Sequence, residues 1–259
     1  MAPGWLTAIA WVYLGLCFCC AGIIGYDIAV NKRRQPMGVM NFVFPITALY
    51  FGPLALWFYL RWARGATMSP TAMPMTHAPV VAAAHGVHGT SADPPDEPPR
   101  ERQPGADRDR PGWVTMAIEV SHCGAGCTLG DVISETFVFV LALTIAGSTL
   151  AAEYTGDYIL ALAFGIAFQF FAIAPMRGLG VRAGLVAAAK ADVISLTAFE
   201  VGLFGWMAVM IFVLFPAPHQ LMPNAAAFWL LMQVGMMIGF CTSWPANVWL
   251  VRRGIKVPM

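Results

Sequence analysis

The sequence predicts an all-α, polytopic membrane bundle of about six transmembrane helices. Three observations predict it. Of 259 residues, 58% are hydrophobic and 11% charged, whereas a soluble domain needs about a quarter charged residues to cover its surface. The mean hydropathy is +0.66. The apolar residues fall in long blocks, and a block of about 18 or more matches the hydrocarbon thickness of a bilayer.

Taken in order, the blocks run from about Trp5 to Val30, Phe42 to Trp62, Leu129 to Ala151, Tyr158 to Pro175, Val193 to Phe215 and Ala225 to Val251. The first has no basic residue ahead of it and exceeds the length of a signal-peptide core, so a retained helix is expected. The second contains Pro45 and Pro53, which leaves open whether it crosses fully. Between the second and third blocks, Ala63 to Gly112 holds nine prolines, six acidic residues and five arginines. Such a segment reads as a disordered linker. The expected organisation is a two-helix membrane module (1–62), a linker (63–112) and a four-helix membrane domain (113–259).

Counting Lys and Arg in the loops favours both termini in the cytoplasm. That orientation puts twelve basic residues inside and leaves three, Lys32, Arg33 and Arg34, outside. External loops are expected near Glu153–Asp157 and Phe215–Asn224, which carry no basic residue. The net charge of +1 and the lack of a dense basic cluster speak against a nucleic-acid partner. The expected surroundings are the lipid bilayer and, in one reading, other membrane proteins.

The string Ser121-His-Cys-Gly-Ala-Gly-Cys-Thr-Leu-Gly-Asp131 is the most distinctive. Its place at the end of the linker suggests a helix start, with Thr128 and Asp131 forming a capping-box-like pair. His122, Cys123 and Cys127 are three potential ligands for copper(I) or zinc; the alternatives are a tight Gly-rich turn with cysteines packed between helices and a reactive or redox thiol pair. Tyr13, Cys17 and Cys20 share a face of the first helix, with Asp27 further along it. Met237 and Cys241 lie on a similar stripe in the last helix, which Pro245 is expected to interrupt, freeing a carbonyl near Cys241. The linker adds Met68, Met73, Met75, His77, His85 and His88. Methionine and cysteine also fill helix interfaces without any ligand.

Charge at bilayer depth is costly and so rarely idle. Glu200 within the fifth block, and Asp131 with Glu135 one turn apart on the third, are candidate proton- or cation-coupling residues. Lys190 and Asp192 follow Arg177 and Arg182 in what could be an interfacial helix.

The strings His122-Cys-Gly-Ala-Gly-Cys-Thr-Leu-Gly-Asp131, Ala174-Pro-Met-Arg-Gly-Leu179, Lys190-Ala-Asp192 with Ser195-Leu-Thr-Ala-Phe-Glu200, and Thr242-Ser-Trp-Pro-Ala-Asn247 with Arg252-Arg-Gly-Ile-Lys256 resemble a family of bacterial and archaeal membrane proteins, domain of unknown function 4396. The resemblance implies a plasma (bacterial inner) membrane setting and supplies no activity. Two classes of function follow from the residues. One is a carrier or chaperone for a soft metal such as copper(I), using His122, Cys123, Cys127, Met237 and Cys241, with Glu200 coupling charge. The other is a non-catalytic structural or assembly subunit. No nucleophile–base pair, phosphate loop or haem-attachment motif points to an enzyme.

Overall fold

The computed structural model describes residues 2–33, 35, 37–65, 111–178 and 180–256, without side-chain detail at 173–177. The linker's central stretch and its Met and His residues lie outside these described residues. Helix α1 is Gly4–Ala29, α2 is Met40–Phe51, and α3 is Pro53–Phe58, which runs on as a π-turn over Tyr59–Ala63. Then come α4 (Gly112–Leu141), α5 (Thr149–Arg177), α6 (Val181–Val209, extended by a π-turn to Leu214) and α7 (Ala226–Arg252). The expected all-α bundle is what the chain forms.

Five of these helices, α1, α4, α5, α6 and α7, are long and apolar enough to cross a membrane. The bundle is also turned inside out relative to a soluble protein. Large apolar side chains face outward, Trp11 and Phe18 among them, while Glu119, Asp131, Glu135, Asp192, Glu200 and Lys256 are buried. Only an apolar solvent makes that arrangement favourable.

The segment expected as a second span is a helical hairpin. At Gly52 the chain turns with φ +51°, a left-handed conformation that glycine adopts without a Cβ penalty, and Pro53 opens α3 with its φ already helical. The tip lies beside the middle of α1, where a β-carbon on Gly52 would come within 3.0 Å of Cys17 Sγ and Tyr13 Oη donates to the Tyr50 carbonyl at 3.0 Å. Both arms return to the far end of α1. Phe44 of α2 meets Tyr59 with ring centroids 5.6 Å apart, and Tyr59 Oη and Arg64 both reach Asp27. Each arm, at about 1.5 Å per residue, is too short to cross the ~30 Å hydrocarbon core. The face of α1 carrying Tyr13, Cys17, Cys20 and Asp27 is therefore the seat of this hairpin.

Helices α4 to α7 run up and down as an antiparallel unit. Gly126 and Gly130 of α4 lie directly on Gly165 and Ala161 of α5: a β-carbon at Gly126 would come within 2.7 Å of the Gly165 Cα, and one at Gly130 within 2.5 Å of the Ala161 backbone. Small residues four apart on both helices allow this close approach, the usual device for helix association in lipid. Trp113 at the start of α4 stacks edge-on against Trp62, so α4 begins at the end of the bundle where the hairpin opens.

Several expected boundaries shift. The span expected over Leu129–Ala151 is α4, which starts at Gly112 and ends at Leu141. Its first half is polar because those side chains face the interior, and a hydropathy window misreads such a stretch. Glu153–Asp157 lies within α5, and the turn it was expected to form falls at residues 142–148. Residues 181–192 form the first turns of α6, replacing the expected interfacial helix. Helix α7 continues through Pro245.

Candidate functional site

The string from His122 to Asp131 occupies the middle of α4, so Thr128 and Asp131 cap nothing. Thr128 Oγ1 donates instead to the Gly124 carbonyl at 2.8 Å. The glycines make a crossing surface, not a turn. On this helix Glu119, Cys123, Cys127, Asp131 and Glu135 recur every four residues, each one turn above the last. All five are buried in the four-helix unit, and they divide into two clusters joined by the two cysteines.

The first cluster surrounds Lys256, just beyond the end of α7. Its side chain is fully buried. Nζ donates to Asp192 Oδ1 at 2.8 Å, to Asn247 Oδ1 at 3.0 Å and to Cys123 Sγ at 3.2 Å, and pairs with Glu119 Oε2 at 3.2 Å. Burial alone would pull the lysine down, but the charges of Asp192 and Glu119 and the Cys123 thiol outweigh it and hold the ammonium well above its ordinary pKa. Ser195 Oγ donates to Cys123 Sγ at 3.2 Å, and Asn247 Nδ2 donates to Ser195 Oγ and to the Ser243 carbonyl. His122 lies beside this cluster, packed edge-on against Phe168, and among the described residues neither ring nitrogen has a hydrogen-bond partner.

The second cluster is acidic. Asp131 and Glu135 of α4, Asp157 of α5 and Glu200 of α6 are all buried; among the described residues none of them pairs with a cationic side chain, and their neighbours are one another, the Ser134 hydroxyl beside Asp157 and the Cys127 thiol beside Glu200. Asp131 feels the charges of Glu200, Asp157 and Glu135, while Glu200 sits beside the Cys127 thiol. Four carboxylates in one dry volume repel one another and lack solvation, so each negative charge kept there must be matched by a proton or another cation.

The expected soft-metal ligands do not converge. Cys123 is engaged with Lys256, Asp192 and Ser195, Cys127 faces Glu200, Cys241 is exposed, and Met237 only borders the buried cluster around Cys123 and Cys127. Among the described residues no group of three His, Cys, Asp or Glu side chains is arranged to hold a metal ion. The expected coupling residues Asp131, Glu135 and Glu200 do come together. The residues missed as site members are Glu119, Asp157 and Lys256, with Asp192, Ser195, Ser243 and Asn247 noted in sequence but not joined. The four-residue periodicity of α4 could have revealed Glu119; Lys256 reads as an ordinary membrane-edge lysine.

These features define a multi-pass helical membrane protein whose second part is a polar-cored four-helix unit. That unit coincides with the region matched by the family described as Domain of unknown function (DUF4396), over residues 112–256, and the chain belongs to this family. No curated protein and no solved structure matches the chain.

Proposed function

We propose that the four-helix unit binds and passes cations, protons most directly, along the interior line from Glu135 and Asp157 through Asp131 and Glu200 to Cys127, Cys123 and the Lys256 cluster. The observation that carries this reading is the group of four buried carboxyl groups crowded together with no cationic side chain paired to them among the described residues. A purely structural subunit gains nothing from such a group, because apolar residues of similar size would pack more stably. The soft-metal carrier remains a second reading, supported by Cys123 and Cys127 lying one turn apart beside Met236 in one buried cluster.

The orientation we propose is N-terminus outside and C-terminus inside. With the hairpin not crossing, Lys32, Arg33, Arg61, Arg64, Arg177, Arg182, Lys190, Arg252, Arg253 and Lys256 all belong to one side, as the positive-inside rule asks. The N-in/C-in alternative depended on counting residues 42–62 as a span.

Purified protein in liposomes should dissipate an imposed pH gradient. The double variant Glu200→Gln/Asp131→Asn should lose this flux by about tenfold or more, a change of about 1.4 kcal/mol. A folded double variant with wild-type flux overturns the reading. Elemental analysis of wild type beside Cys123→Ser/Cys127→Ser tests the soft-metal reading: equal metal content in both removes the thiols from it.

A further inference from the structure

We infer that the cavity between the hairpin, α4 and α7 holds one acyl chain of an anionic phospholipid, with the lipid's phosphate on Arg61. This site is separate from the proposed cation line and does not depend on it. The cavity measures about 300 Å3, at the lower end of the range for ligand pockets, which suits part of a lipid. Among the described residues no charged side chain lines it, and Phe51, Phe58, Trp113, Phe240 and Trp244 supply much of its wall. The Thr47 hydroxyl that borders it is already engaged with the Val43 carbonyl at 2.9 Å. A hydrocarbon occupant therefore strands no polar group.

Length and access fit a chain lying along the membrane normal. On α4 the lining runs from Trp113 to Ser121, about 12 Å at 1.5 Å per residue and most of the ~15 Å depth of one leaflet. One side is open to the surroundings, because Leu54, Trp57 and Cys241 line the cavity and are exposed. A chain can enter from the bilayer without the helices parting.

The charge stands at the end of the cavity where α4 begins. Along the second arm of the hairpin, Arg61 follows Trp57 and Phe58 by four and three residues, a spacing that keeps it on about the same face. Its guanidinium lies 4.2 Å over the Trp62 ring, and Trp62 stacks edge-on against Trp113 of the cavity wall. Arg64 is taken by Asp27, whereas Arg61 is exposed and has no acidic partner among the described residues. Arginine beside tryptophan marks the headgroup level of a bilayer, and a phosphate offers the guanidinium the charge-assisted hydrogen bonds it lacks.

The test is photo-crosslinking of full-length protein in nanodiscs holding equal amounts of phosphatidylglycerol and phosphatidylcholine. One lipid at a time carries a diazirine in its acyl chain, and the sites are read by mass spectrometry. Trp11 and Phe18, exposed on the outer face of α1, report the bulk lipid. Relative to them, cross-links at Ser121 and Cys241 should favour phosphatidylglycerol by about fivefold, the factor for the ~1 kcal/mol that one arginine contributes near an anionic surface. Arg61→Gln should remove that preference. Ala117→Trp, which fills the cavity from α4, should remove the cross-links at Ser121 and Cys241 and leave those on α1. Absence of a headgroup preference in wild type overturns the inference. So does a preference retained in Arg61→Gln, or a folded Ala117→Trp protein that labels like wild type. Should Ala117→Trp not fold, wild type and Arg61→Gln decide alone. No arm measures flux, so this site and the transport reading can fail separately.

Discussion

The hairpin region and the four-helix unit both bury acidic residues, and they treat them in opposite ways. Asp27 at the end of α1 is saturated. It accepts a two-pronged bond from Arg64 at 2.7 and 2.9 Å, a hydroxyl from Tyr59 and an amide from Asn31. Asp131, Glu135, Asp157 and Glu200 have no cationic partner among the described residues and stand chiefly beside one another. A carboxylate paired with a guanidinium fixes geometry, whereas crowded buried carboxyls without a cation are stable only with protons or other cations to offset their charge. The contrast separates a cluster whose charge is paired from one whose charge is not, and the proposed function rests on the second.

The strongest challenge to that comparison is structural. Gly126→Leu pushes a side chain into the Gly165 backbone and should abolish recovery of monodisperse protein by size-exclusion chromatography. Recovery at the wild-type level would show that the α4–α5 crossing is not a close one. Nearly as decisive is accessibility. Single cysteines at Gln35 and Arg64 should label from the same side of intact spheroplasts and Thr7→Cys from the opposite side, an all-or-none result that decides whether the hairpin crosses.

Smaller effects sharpen the contrast between the two regions. Asp27→Asn breaks the saturated cluster and should lower Tm by a few degrees, about 2–4 °C per kcal/mol lost for a chain of this size. Asp157→Asn removes one of four mutually repelling carboxylates and should leave Tm unchanged or raise it, while lowering flux. Equal destabilisation by both substitutions would erase the distinction. The smallest expected effect is Cys127→Ser, a near-isosteric change beside Glu200, which should shift Tm by no more than about 1–2 °C.

Much of this was readable beforehand, for identifiable reasons. Block length and composition reveal α1, α5, α6 and α7, because lipid demands apolar outer faces. The candidate residues Asp131, Glu135 and Glu200 stand out because charge in an apolar block is rare. The first half of α4 was hidden by its inward-facing polar residues, since Glu119, Ser121 and His122 lower the local hydropathy below that of the flanking blocks. The hairpin was hidden for the opposite reason: Gly52-Pro53 sits inside a continuous apolar block, and it takes long-range contacts such as Asp27–Arg64, Tyr13–Tyr50 and Phe44–Tyr59 to reveal that the chain doubles back. Lys256 pairs with Glu119, 137 positions earlier in the chain (256 − 119), a separation no local pattern encodes.

The hairpin tip has a consequence for how the molecule is made. A turn at hydrocarbon depth needs donors for its exposed carbonyls. Tyr13, already synthesised, serves Tyr50, but the Leu49 carbonyl accepts its hydrogen bond from Gln233 Nε2, 184 residues downstream. At ribosomal rates of about 5–20 residues per second, that partner emerges roughly 10–40 s later. The wedge between α1 and α7 therefore reaches its final seat only after the last helix has entered the bilayer, which makes residues 40–63 a late step in biogenesis despite their early place in the chain.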